Sequence, residues 1–287
     1  GIYSCRLSLG NLQSHALNGP DLPLSLHFNP LNTVDRGFGL GWTLTGTRYD
    51  RTAKTLSLAG GETYKTQELP SRVLLTDQKR ERHKLLVIGE NRFLLSAQNG
   101  QREELAMMGL SNVAVTKRIW SANGASLELA YTLYSGHPML SEVRDSRRTL
   151  LSITRTGAGL ELKRFPGSAE EATFVIHLVN SRLSSITLPE GGRWEIRYLA
   201  LDGLAYVSRL YSPLGAAEHI SYKTMGLRFP EGSGMPAMAS VATHSVFPGH
   251  GHLYIHQRFS FSDTNFLAFC AAGFSSEKLG GRLYQVV

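Results

Sequence analysis

The residues best suited to chemistry lie near the C-terminus, where His244, His250, His252 and His256 gather around the segment PGHGHLYIH. Neutral imidazole is a common zinc ligand. On a strand His250 and His252 would point to one side, and His256 would be a third ligand within reach. A turn bearing exposed histidines accounts for the same pattern. The segment follows the glycine and proline loop GSGMPAMAS, no cysteine is near, and the nearest downstream carboxylate is Asp263. The spacing favours the turn, and the metal reading stays open for His250, His252 and His256.

Other chemistry is sparse. Cys5 and Cys270 are the only cysteines and stand at opposite ends, which excludes a disulfide framework and leaves a single pairing open. There is no GxSxG, HExxH or Walker loop, and Ser233 in EGSGMP lacks the strand and helix that a nucleophile elbow needs. Asp and Glu occur singly, so no paired-carboxylate site can be named. Gly37, Gly39 and Gly41 form GxGxG, but the following TLTGTRYD is not helix-forming, and a phosphate loop requires a helix N-terminus behind it. No catalytic residue and no cofactor is expected. A hydrolase with residues scattered in sequence remains the enzymatic alternative.

The elements that position these residues centre on Asp21 to Trp42, DLPLSLHFNPLNTVDRGFGLGW. Leu22, Leu24, Leu26 and Phe28 alternate with Ser25 and His27, the mark of a half-buried strand. Asn29 and Pro30 break it, and Asn32 and Asp35 continue the turn chemistry. From Gly37 to Trp42 glycine alternates with a large apolar residue, which in a strand leaves bare backbone on one face for another layer to approach.

The 287 residues, 42% hydrophobic and 18% charged, suit a globular chain with a large core, as one big β domain or two ordinary ones. The net charge of +7 is scattered. Its densest groups are Lys79, Arg80, Arg82, His83 and Lys84, and Arg144, Arg147 and Arg148; neither has the one-sided basic face with stacking aromatics of a nucleic-acid reader. The longest apolar run, Phe266 to Ala272, is far too short to span a bilayer as a helix. The opening GIYSCRLSLG lacks an initiator Met and a basic n-region, so the chain is expected to begin inside a larger polypeptide.

Short alternating strands and turns fill the rest. Residues 2 to 9 read as a strand. Hairpins are expected at Gly60-Gly61, at Gly89-Glu90-Asn91, at Asn99-Gly100 and at Asn123-Gly124, with Leu127, Leu129, Tyr131 and Leu133 alternating after the last. EELAMMGLS, residues 103 to 111, is the best helix candidate. Trp42, Trp120, Trp194 and most other aromatics sit at strand positions, as sheet packing requires. ITLPEGGRWEIRY (186 to 198) repeats in LYSPLGAAEHISY (210 to 222) at a spacing of 24, and LSEVRDSRRTLLSI (140 to 153) matches LSSITLPEGGRWEI at a spacing of 43. Such units must stack on their neighbours to bury a face. The fold class is all-β: antiparallel hairpins and meanders in one continuous winding sheet.

The Pro23 to Phe28 strand, Asn29-Pro30-Leu31-Asn32 and Gly37 to Trp42 together resemble the entry segment of RHS (rearrangement hot spot) and YD-repeat proteins, bacterial shells that enclose a toxin. The turn, Tyr198 and Asp202-Gly203-Leu204 resemble that family's repeats without a clean Tyr-Asp pair, and Asn265-Phe266-Leu267 resembles a later segment with Ala268 in place of glycine. The resemblance implies the start of a hollow β-shell: residues 1–136 as entry region and 137–287 as a degenerate repeat region. It implies as motif residues Asn29, Pro30, Asn32, Gly37, Phe38, Gly39, Gly41 and Trp42. The implied partners are the rest of the shell, its enclosed toxin, and a secretion-machine spike or chaperone, with delivery in interbacterial competition by a contractile, type VI-like machine. Neither the toxin nor the family's self-cleaving segment is expected within this stretch. The location implied is the bacterial cytoplasm before export, then a target cell. A free-standing secreted β-sandwich that binds carbohydrate or a receptor is the alternative. Exposed aromatic platforms would favour it, and an unpaired strand at the chain end would favour the shell.

Overall fold

A computed structural model of the chain describes residues 1–14, 17–109, 111–228 and 237–261. Every regular element among them is a strand. Three form a small antiparallel sheet in the order β1 (Cys5–Gln13), β2 (Asp21–Phe28), β3 (Trp42–Leu44). The first strand starts later and runs further than its alternation suggests, because a register shift between Ser8 and Asn11 lets it stay paired with β2 to Gln13.

The next eight strands are β4 (Arg48–Asp50), β5 (Thr55–Ser57), β6 (Thr63–Glu68), β7 (Arg72–Leu75), β8 (His83–Gly89), β9 (Arg92–Ala97), β10 (Arg102–Met107) and β11 (Val113–Trp120). Consecutive strands pair antiparallel, and Val113 to Val115 of β11 return to pair with Asp50 to Arg48 of β4, which closes a barrel. Its interior is filled by Tyr49, Leu56, Val73, Leu85, Phe93, Leu95, Leu105 and Ala114, with Tyr49 edge-on to Phe93 at 4.9 Å. Closure removes the free edges that such short strands would otherwise expose. The helix expected over residues 103 to 111 is instead β10. Its ladder to β9 on one side and to β11 on the other outweighs a weak helical preference in a segment too short to hold a helix alone.

The end of β11 leaves the barrel. Arg118 to Trp120 pair with Glu128 to Ser126 of β12 (Ser126–Tyr134), on the edge that β4 occupies three residues earlier. From this fork the chain runs as one antiparallel meander: β13 (His137–Arg144), β14 (Thr149–Thr156), β15 (Gly159–Arg164), β16 (Ala172–Val179), β17 (Arg182–Thr187), β18 (Arg193–Leu201), β19 (Leu204–Tyr211), β20 (Ala217–Leu227), β21 (Met238–Phe247) and β22 (Ile255–Arg258). One face buries Leu127, Val143, Leu151, Leu162, Ile176, Leu183, Ile196, Val207 and Ile220 against Leu7, Leu24, Leu26, Phe28 and Trp42 of the small sheet. The other face is charged and polar, as at Glu195 and Arg197.

The turns explain the sequence repeat. At 58–62, 97–101, 121–125, 188–192 and 212–216 the first residue's N–H donates to the fifth carbonyl, and the fourth N–H donates to the first carbonyl. The fourth residue is Gly61, Gly100, Gly124, Gly191 or Gly215, each with φ between 84° and 99°. This is a three-residue loop, a type I turn closed by a left-handed glycine. The Asn-Gly pairs at 99–100 and 123–124 and Gly60-Gly61 therefore each use one positive φ, not the two of a two-residue turn. Two-residue turns occupy the opposite end of the meander, where Ser135-Gly136, Asn180-Ser181 and Asp202-Gly203 all have positive φ.

Candidate functional site

The segment 29–42 works as a clasp between the two layers. Asn29 N–H donates to Gly41 O, Gly41 N–H to Asn32 O, and Trp42 N–H to Gly39 O, at 2.9, 3.0 and 3.1 Å. Asp35 Oδ1 accepts from the Gly37 and Gly39 amides at 2.8 and 3.0 Å, and Asn29 Oδ1 accepts from Leu31 N–H. The glycine-alternating stretch is thus a wound loop, where a strand is expected: Gly37, Gly39 and Gly41 have φ of 102°, 92° and 86°, and β3 starts only at Trp42. The expected close approach survives in another form. A Cβ on Gly39 would lie 3.0 Å from Leu183 N and 3.2 Å from Ser181 O, and Leu40 N–H donates to Ser181 O at 2.8 Å. Phe38 is buried beside Met139, and Arg155 donates to Gly37 O at 2.9 Å while lying over the Tyr134 ring.

Trp42 carries the second half of the clasp. Its indole N–H donates to Tyr198 OH at 2.7 Å, and that hydroxyl donates to Leu183 O at 2.6 Å. Phe28 packs against both rings. Burial pushes the Tyr198 hydroxyl above its ordinary range, so it stays protonated as the bond to Leu183 requires. The arrangement recurs: Tyr222 donates to Val207 O at 2.6 Å and Tyr131 to Thr116 O at 2.7 Å, always fifteen residues back. Each tyrosine sits at a register shift, between residues 130/131, 197/198 and 221/222. The bulge turns the ring across to the preceding strand pair. The tyrosine of the sequence repeat is therefore a lock between neighbouring hairpins, and the lock of the 183–198 unit is already present in 116–131, 67 residues earlier.

The histidines lie at the far end. His250 and His252 are in the turn before β22, exposed, and His250 Nε2 is 3.2 Å from Leu214 O. His256, on β22, meets Ser245 Oγ through Nδ1 at 2.7 Å. His244 on β21 faces away from them and pairs with Glu218 at 2.7 Å, where the carboxylate also accepts from Tyr3 OH. No three His, Cys, Asp or Glu converge as a metal set among the described residues. Cys5 has no disulfide partner among the described residues, and its thiol is pushed up to about 12 by burial and then by the charge of Glu218. Ser233, Asn265 to Ala268 and Cys270 lie outside the described residues.

Sequence reasoning did not find the feature that crosses this end. Arg197 lies over Tyr211 at 5.6 Å, Tyr211 meets His219 at 6.2 Å, His219 meets Phe247 at 5.0 Å, and Phe247 stacks on Tyr254 at 5.6 Å. Phe247 is 37% exposed and Tyr254 61%, with Leu214, Leu253 and Ile255 also exposed. The only local signal is that Tyr211 and His219 flank one turn. Among the described residues β22 pairs with β21.

No protein-family model and no curated protein matches the chain. Among solved structures it is similar to the N-terminal domain of effector protein SpvB from Salmonella typhimurium strain LT2, at 11% identity and a TM-score of 0.37, over 85% of this chain and 98% of that one. It is also similar to TcdB2-TccC3 without its hypervariable C-terminal region, at 13% identity, and to TcdB2-TccC3-Cdc42, at 10%. Each of these two alignments has a TM-score of 0.37 and covers 91% of this chain, which spans 16% of those chains.

Proposed function

We propose that this chain is an opening section of an RHS-type β-shell, a wall that isolates an enclosed toxin from the cell that makes it. One observation carries the reading: a single antiparallel meander runs from β11 to β22 and is anchored at its start by a closed barrel. Such a sheet grows by adding hairpins, each of which covers the edge of the one before. The clasp and tyrosine locks hold the wall together by packing and hydrogen bonds, which is the role proposed for a non-catalytic section. Its partners are the rest of the shell, the enclosed toxin, and a delivery spike or chaperone; it is made in the bacterial cytoplasm and delivered to a target cell. Immunoblotting and intact mass of the native product in the organism that encodes it test this. A polypeptide far above 31.6 kDa, or this section held to a second one, is expected. A monomer of 31.6 kDa refutes it.

A second reading, binding of a glycan or receptor, is favoured by the exposed row from Tyr211 to Tyr254, since aromatic faces stack on apolar sugar faces. Glycan-array binding that is lost in Tyr254→Ala supports it; no binding by the intact chain removes it.

A further inference from the structure

Between the small sheet and the barrel lies a cleft of about 570 Å³. Three arginines line it, Arg6 of β1, Arg36 of the clasp and Arg48 of β4. Asp50 is the one carboxylate on its wall, and its Oδ1 already accepts Ala53 N–H at 2.8 Å. Three positive charges against one negative leave an excess of two. His27 also lines the cleft; burial, then Arg6, lower its pKa, so it adds no charge at neutral pH. Among the described residues none of the three arginines forms an ion pair. Arg48 donates to Leu44 O at 2.8 Å, and burial, then the like charge of Arg36, pull its pKa down to about 10. Asn32 adds an amide nitrogen buried without an acceptor, and Thr43 belongs to the same lining.

Arg36 and Arg48 are partly buried like charges, and holding them together is unfavourable unless a counter-charge joins them. An excess of two matches a phosphate group, which carries about −1.5 to −2 near neutral pH, better than it matches a single carboxylate. Planar guanidiniums bind phosphate oxygens through paired N–H groups. The volume exceeds that of a lone phosphate and lies in the range of small-molecule sites. We propose that this cleft binds a small phosphate-bearing molecule, with the phosphoryl group between Arg36 and Arg48 and Arg6 at the mouth.

Isothermal titration of the full chain with pyrophosphate, inorganic phosphate and acetate at low salt tests it. Saturable one-to-one binding of pyrophosphate is expected, weaker binding of phosphate, and none of acetate. Arg36→Gln should weaken pyrophosphate by roughly tenfold or more. Arg258→Gln, at the distant β22, should leave it unchanged. If Arg36→Gln does not fold, Arg6→Gln on the exposed rim gives the same readout. Absence of saturable binding at millimolar pyrophosphate, or binding indifferent to both cleft variants, overturns the assignment.

Discussion

Gly39→Ala tests the clasp most directly. Gly39 has φ of +92°, a conformation that costs a residue with a Cβ roughly 1–2 kcal/mol. The new Cβ would also stand 3.0 Å from Leu183 N and 3.2 Å from Ser181 O. These are backbone atoms beside the two-residue turn between β16 and β17, so no side chain can swing aside. The loop must retreat, which stretches the Leu40 N–H bond to Ser181 O, presently 2.8 Å, at a net loss of about 1 kcal/mol. Together the clasp should open more easily by roughly 2–3 kcal/mol. Native-state hydrogen exchange reads this at Leu40 and Trp42, whose amides bond to Ser181 O and Gly39 O. Their exchange should rise roughly 30- to 150-fold. Gly46→Ala is the control, because a Cβ there meets nothing within 4 Å and the backbone is not left-handed. Exchange at Leu40 and Trp42 within about threefold of the parent in Gly39→Ala would refute the reasoning.

Three further outcomes follow from the same geometry. Tyr198→Phe strands both the Trp42 indole N–H and Leu183 O and should cost about 2–4 kcal/mol in urea unfolding, whereas Tyr222→Phe strands only Val207 O and should cost about 1–2 kcal/mol; equal losses would contradict the two-sided lock. His27 has a pKa held below 6.5, chiefly by burial, so the unfolded chain takes up its proton first; the stability it supports is full above pH 6.5 and falls as the pH drops below it. His27→Gln should lose less stability than the parent between about pH 7 and 5, and parallel curves would exclude this histidine as the cause. In a Cys270→Ser background, the Cys5 thiol, raised from 9.0 to about 12, should alkylate roughly a thousandfold more slowly in the native state than in urea below pH 9, and comparable rates would show that its burial is not persistent.

Local features were legible in the residues alone. Alternation at Leu22, Leu24, Leu26 and Phe28 became β2, the glycines at 61, 100, 124, 191 and 215 became turns, and the spacing of 24 became two hairpins with matching hydrogen bonds. These depend on backbone conformation and side-chain period, which a few neighbouring residues set. Tertiary structure decided what depends on pairing between distant segments. Residues 103 to 107 are a strand because β9 and β11 flank them, and Gly37 to Gly41 wind into a loop because the β16–β17 turn and Met139 occupy the space beside them. Which edge of β11 serves both the barrel and the meander depends on where β4 returns. The arginine cleft gathers positions 6, 36 and 48, and the aromatic row gathers positions 197 to 254 across four strand crossings. No periodicity marks such sets. Burial and charge act through space, and only the closed sheet brings those side chains into one field.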